Sequence, residues 1–291
     1  GISFPKARAK ALDEYFKKYN LDYSLDINSK KYAKYPSDIT SNSNLDINTF
    51  INQPNNILGI EYIKALMRFN SKINPVPLKR LGAGYHSLDT RTKLASATGI
   101  RTAMANKDNI SGLLPDNCLN IIKNHTTIEY NDFSTVLGSK LLSMDTLDHI
   151  EGINQDLSNR IANNKYNFTD IETFMPMLQS KNYTYSAISR ALLHIILDIK
   201  TDGLKEFISN NYVNYAMILG FNKNTGVLSE ISKSTKIPLV SKFATFYKEA
   251  DNNQRKMLDI NLKADNLYRM IYMNKTSETL PTEFQRQIII K

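Results

Sequence analysis

Apolar residues recur at three- and four-residue intervals through most of this 291-residue chain, which predicts a largely helical protein. Residues 5–20, PKARAKALDEYFKKYN, read as a helix with Pro5 near its first turn and Ala9, Leu12 and Phe16 on one face. The period is then lost: residues 21–50 are rich in Asn, Ser, Asp, Lys and Tyr and read as a loop or insertion. Pro54, Asn55 and Asn56 punctuate the start of a second helix, ILGIEYIKALMRF, in which Ile57, Ile60, Ile63 and Leu66 recur at helical spacing. Residues 74–80 follow as a short extended segment, whose Pro75 and Pro77 predict an edge strand or a strand beginning only at Val76. A Gly- and polar-rich loop over residues 81–93 leads into a helix over 96–105 with Ser96 as its N-cap.

From residue 108 onward, helices are predicted over 133–143, 153–163, 171–179, 185–199, 226–233 and 257–273. Two apolar β-like runs, 215–219 and 237–240, interrupt them, and no internal repeat is visible. The fold class expected is α/β plus mainly α. Residues 1–107 have the order of the tail of an α/β nucleotide-binding domain with too few strands for a whole one, and residues 108–291 form a mostly helical domain.

Composition narrows the function classes. The longest apolar stretch, residues 191–197, is interrupted by His194 and too short to cross a bilayer, and no signal region opens the sequence, so a soluble, cytoplasmic protein without a membrane partner is expected. Cys118 is the one cysteine, which excludes a disulfide framework or a multi-cysteine zinc site; with His86, His125, His149 and His194 widely spread, no metal site is expected. Cys118 itself is read as a small apolar packing residue. The net charge of +9 is concentrated: six basic residues (Lys72, Lys79, Arg80, Arg91, Lys93, Arg101) and one acid, Asp89, lie between Ser71 and Arg101. Such a strip suits a polyanion, a nucleotide or RNA, although a solvated lysine-rich surface accounts for the charge equally well.

The segment Ala95-Ser96-Ala97-Thr98-Gly99-Ile100-Arg101 carries the most chemistry. A helix start offers free backbone amides and the positive end of the macrodipole, which together hold phosphate. Ser96 and Thr98 add hydroxyls, Gly99 permits close backbone approach, and Arg101 lies three residues beyond Thr98 on the same side of the helix. A plain capped helix with a surface arginine has the same pattern. Lys79 and Arg80 end the predicted strand, where ligands of open α/β sheets bind. His86 is a loop histidine with no visible partner, and Asn55 reads equally as a helix cap.

PNNILGIEYIKAL (54–66), LKRLGAGYH (78–86) and ASATGIR (95–101), in this order and spacing, resemble the tRNA(Met) cytidine acetate ligase family, which is similar to the HIGH-type nucleotidyltransferases. SFPKARAKAL, SRALLHIILDI (189–199), ILGFNKNTG (218–226) and the closing TEFQRQIII also resemble it, so the likeness covers nearly the whole chain. The resemblance implies the carboxy-terminal half of a Rossmann-like nucleotide-binding domain followed by a helical tRNA-binding domain. It implies ATP with Mg²⁺, acetate and elongator tRNA(Met) as partners, and N4-acetylcytidine formed through acetyl-adenylate. Asn55 and Arg80 match the family's ATP-contacting Asn and Arg, while Ser96, Thr98 and Arg101 are assigned to phosphate from the helix-start geometry. The family's H-x-G-H loop does not occur in this sequence, so the chain by itself is expected to be inactive, and residues 21–50 look like an insertion. RNA contact is expected from Lys181, Tyr183, Tyr185 and Arg190, since exposed Tyr beside Lys and Arg suits stacking on unpaired bases, whereas core packing accounts for either Tyr as well. Lys233, Lys236, Lys242 and Lys248 form a second, diffuse basic run. A small-molecule adenylyltransferase and a non-catalytic RNA-binding module remain as alternatives.

Overall fold

The computed structural model describes residues 7, 10, 11, 14, 17, 18, 53–78, 95–223 and 226–291. It divides the chain into two units, Gly1–Leu113 and Leu114–Lys291. In the first unit, Ala7, Lys10, Ala11, Glu14, Lys17 and Lys18 are helical. Helix α1, Pro54–Arg68, starts after Gln53 with Pro54 in its first turn and places Asn55 and Asn56 inside the helix rather than at the cap. It ends through Phe69 and a left-handed Asn70 (φ 46°), with the Ser71 amide donating to the Leu66 carbonyl. Helix α2, Ala97–Ala105, is closed at its start by Ser96.

The edge strand expected over residues 74–80 is not formed in its described part. Residues 71–78 run irregularly and pair with no strand among the described residues. Pro75 and Pro77 remove two amide donors from a segment that already lacks a neighbour to accept from. Residues 79–94, and with them Arg80, Gly82, Gly84 and His86, lie outside the described residues, as does the insertion read over 21–50.

The second unit is built on helices α3 (Asp116–Lys123), α4 (Ser134–Ser143), α5 (Gln155–Asn164), α6 (Ile171–Leu178), α7 (Tyr185–Leu197), α8 (Thr201–Ser209), α9 (Val227–Ser234), α10 (Phe243–Glu249) and α11 (Asn252–Thr276). Three of these starts are set by side chains. Asn154 accepts from the Leu157 amide, Asp170 from Thr173 and Thr184 from Ala187, each satisfying an otherwise orphaned donor. The core lies where α4, α5, α6 and α7 meet: Leu137, Leu141, Leu157, Ile161, Phe174, Leu178, Ile188, Leu192 and Ile195 are all essentially fully buried. Gly138 on α4 admits the Phe168 ring, which an added Cβ would meet at 3.0 Å, and that ring in turn packs edge-on against Phe174.

The two β-like runs pair with each other. β1 (Ala216–Met217) lies parallel to β3 (Leu239–Val240), with Ala216 opposite Leu239. A second short parallel pair joins β2 (Gly220–Phe221) to β4 (Ile289–Ile290) at the carboxy-terminal end. Gly220 is required at this crossing, because a Cβ there would meet the Ile289 carbonyl oxygen at 2.8 Å. Phe284 fixes the same tail by packing edge-on to Phe243 and Tyr247.

Helix α11 is bound to the unit at both ends. At its start, Asp251 and Gln254 form a reciprocal capping box. Near its end, Lys275 donates to both carboxylate oxygens of Asp132 and to the Thr127 carbonyl. Partial burial works to raise the Asp132 pKa, but the Glu129 amide and Lys275 outweigh it and hold the carboxyl below its ordinary value. A depressed carboxylate pKa contributes stability that is complete above the unfolded-state value and is lost as pH falls through the folded one.

Two measurements test this packing. Leu192→Ala should cost roughly 2–5 kcal/mol and lower the melting temperature by several degrees; an unchanged melting curve would show that α7 is not the centre of the core. Asp132→Asn should destabilise the protein at neutral pH, and the difference from the parent should close as pH falls below about 4. A penalty independent of pH would mean that the Lys275 contact is not what Asp132 contributes.

Candidate functional site

The start of α2 has the geometry of an anion-binding helix terminus. Ser96 sits in extended conformation (φ −72°, ψ 153°), and its Oγ accepts from the Gly99 amide at 2.9 Å while its carbonyl takes the first helical bond from Ile100. Two of the four orphan donors of the first turn are thereby used. The amides of Ala97 and Thr98 meet no acceptor among the described residues. They point out of the helix start together with the macrodipole, worth about half a positive charge.

Each predicted residue can be placed on this frame. Ser96 is fully buried, so it organises the helix start instead of reaching outward from it. Gly99 is buried with Ala103, four residues on, and lies on the packed face of α2 rather than beside the free amides. Thr98 is half-buried and Arg101 exposed; three positions apart, they lie on adjacent turns of one side, as the sequence spacing requires. Asn55 is exposed in the first turn of α1 and does not act as its cap, which is Gln53. Arg80 and His86 lie outside the described residues. Among the described residues, no three His, Cys, Asp or Glu side chains converge as metal ligands, and Cys118 is a free, half-exposed thiol.

In the second unit, residues 180–183 form a tight turn in which the Tyr183 amide donates to the Ser180 carbonyl and the Asn182 amide to the Ser180 hydroxyl. The turn exposes Lys181 and leads directly into α7. Tyr183 and Tyr185 have different surroundings. Tyr183 packs against the core and donates its hydroxyl to Asn154 Oδ1, the atom that caps α5. Tyr185 is 48% exposed and presents an open ring. Arg190 is exposed as well, but five positions along an α-helix set it roughly 140° around from Tyr185. Lys181, Tyr185 and Arg190 therefore ring the exposed end of α7 rather than forming one stripe.

One feature of the surface carried no local sequence signal. A cleft of about 450 Å³ is lined by His149, Asp198, Lys200, Glu206, Phe207 and Lys256, among others. Its charges are largely paired within it: Lys256 with Glu206 at 2.6 Å, and Asp198 with Lys200 at 3.8 Å and His149 at 4.0 Å. The lining comes from segments some hundred residues apart, so nothing short of the fold assembles it.

Comparison with known proteins agrees with this architecture. The family model for HIGH Nucleotidyl Transferase matches residues 1–283. A tRNA(Met) cytidine acetate ligase from Thermoanaerobacter sp. (strain X514) is 32% identical over 80% of this chain and 59% of its own length. One from Clostridium acetobutylicum is 32% identical over 100% of this chain and 66% of its own. The crystal structure of apo Thermotoga maritima TmcAL superposes on the whole chain with a TM-score of 0.79 at 22% identity, covering 67% of that protein. The same protein bound with alpha-thio ATP gives a TM-score of 0.78 at 23% identity. The chain thus spans about six-tenths of the length of the curated relatives it matches. With the family model covering nearly every residue and the fold shared end to end, this chain belongs to the HIGH nucleotidyl transferase family.

Proposed function

We propose that this chain is the greater part of an ATP-dependent ligase that forms N4-acetylcytidine at the wobble position of elongator tRNA(Met). The observation that carries the reading is the start of α2, where a buried serine cap leaves two amides, a hydroxyl and an exposed arginine directed at one place. Its support is the name shared by the relatives and the nucleotide analogue held by the Thermotoga protein.

In this reading a carboxylate oxygen of acetate attacks the α-phosphorus of ATP, the bond from that phosphorus to the bridging oxygen breaks, and pyrophosphate leaves. The cytidine N4 lone pair then attacks the acetyl carbon, AMP departs with the acyl oxygen, and N4 loses a proton. Charge on the phosphates is what must be neutralised in the first step. The Ala97 and Thr98 amides, the Thr98 hydroxyl and Arg101 do this, with Ser96 fixing their geometry. Asn55 and Arg80 complete the ATP contacts by their correspondence to the family's Asn and Arg. ATP brings Mg²⁺ on its phosphates, where the ion supplies further positive charge. The tRNA is held by Lys181, Tyr185 and Arg190 at the exposed end of α7, with Tyr183 supporting the turn from below. No helix among the described residues is long and apolar enough to cross a membrane.

Arg101→Ala should weaken ATP binding by about tenfold or more, since one charge-assisted hydrogen bond contributes roughly 1.5–3 kcal/mol, while an exposed side chain leaves the melting temperature unchanged. Isothermal titration with alpha-thio ATP measures this, and an unaltered affinity removes Arg101 from the site. For the RNA, replacing Lys181 and Arg190 together with Ala should weaken tRNA binding and flatten its log–log salt dependence by about 0.7–0.9 for each phosphate no longer neutralised. ATP affinity should not move. If the parent chain shows no tRNA binding even at low salt, the small-molecule adenylyltransferase reading replaces this one.

A further inference from the structure

Helix α1 is apolar around most of its circumference. Its charged residues Glu61, Lys64 and Arg68 stand at i, i+3 and i+7 and share one narrow stripe, along which Lys64 pairs with Glu61 at 2.9 Å. Leu58, Tyr62, Leu66 and Phe69 follow a second line, and Ile60, Ile63 and Met67 a third. A helix with one buried side has a single apolar stripe; one that is apolar on two sides belongs inside a domain. Yet no residue of α1 is buried, and Tyr62, Met67 and Phe69 are 63%, 76% and 75% exposed. The following segment continues the surface, with Ile73 and Val76 each 69% exposed and Leu78 91% exposed. Contiguous apolar surface of this extent marks an interaction site.

We propose that this face docks a sheet-forming polypeptide carrying the part of the nucleotide-binding fold that the chain does not contain. The share of the fold present argues for that occupant: the chain is matched along its whole length, yet accounts for only 67% of the Thermotoga protein and 66% of the Clostridium acetobutylicum ligase. The layer architecture argues for it too. Helices of an α/β domain bury their apolar faces against a sheet, and the first unit has no strand among its described residues. Residues 71–78, extended and without a strand partner, lie beside α1 in sequence and offer backbone groups for strand addition. A second copy of this chain brings the same helix and no sheet, so it does not meet the requirement. The proposal rests on family membership and the exposed face, and its test reads binding, so it stands or falls apart from the acetylation reading.

The test is titration of the full chain with the unmatched third of the Clostridium acetobutylicum ligase produced as a separate polypeptide, followed by calorimetry and hydrogen exchange. Saturable equimolar binding is expected, with at least about tenfold slower exchange confined to residues 57–78. Tyr62→Glu combined with Met67→Glu should weaken binding by about tenfold or more, whereas Lys64→Ala, on the charged stripe, should not. Both positions are exposed, and the circular dichroism of each variant should match the parent's. Absence of binding overturns the proposal. So does exchange that is already slow in the chain alone, which would mean that its own residues cover the face. Protection that appears with a doubled mass and no added polypeptide would assign the face to a second copy.

Discussion

Burial of one face of α7 is the constraint on which the carboxy-terminal unit depends. Ile188, Ala191, Leu192, Ile195 and Ile196 are almost wholly removed from water, and α4, α6 and α11 each pack against the helix that carries them. At roughly 1.5–3 kcal/mol for each large apolar side chain, this face dominates any single polar contact in the unit. The polar contacts decide where the surrounding helices begin and end. Asn154 caps α5 and also receives the Tyr183 hydroxyl from the turn before α7, so the entry to the central helix and the start of its neighbour are set by one side chain. At the other end, Lys263 of α11 donates to the Leu197 carbonyl, an acceptor left open where α7 stops at the left-handed Asp198. Burial lowers the Lys263 pKa, and the Asp198 charge opposes that shift.

The same separation of labour explains the start of α2. A serine facing solvent would contribute one hydroxyl to a ligand. Ser96, fully buried, instead fixes the direction of the helix and so of the two amides beyond it. A preorganised pair of donors costs no ordering when an anion arrives, which is the reason helix starts serve this purpose so often. Thr98 and Arg101 then contribute direct contact from outside the packed face formed by Gly99 and Ala103.

The two units differ in how their apolar residues are used. In the second, apolar period and burial coincide. In the first, α1 has the apolar content of an interior helix and the exposure of a surface one. Hydrophobic periodicity records what a helix is built to pack against, whether or not that partner belongs to the same polypeptide.

Much of the helical scaffold was legible from the sequence because apolar period is local: α4, α5, α6, α7 and α9 begin and end within about two residues of their predicted bounds. Helices α3, α8 and α10 were not, since each buries a single large residue (Leu119, Phe207 and Phe243), and one residue makes no period. The cap at Ser96 and the spacing of Thr98 to Arg101 were also local and were read directly. Pairing was not. The runs at 215–219 and 237–240 read as strands, but that they pair with each other, and that Gly220 must admit Ile289, depends on segments brought together only by the fold. Tyr183 and Tyr185, two positions apart in one polar turn, look equivalent as sequence. Only the approach of Asn154, from 29 residues away, makes one a structural tyrosine and leaves the other exposed, because burial is a property of what surrounds a side chain and not of the side chain itself.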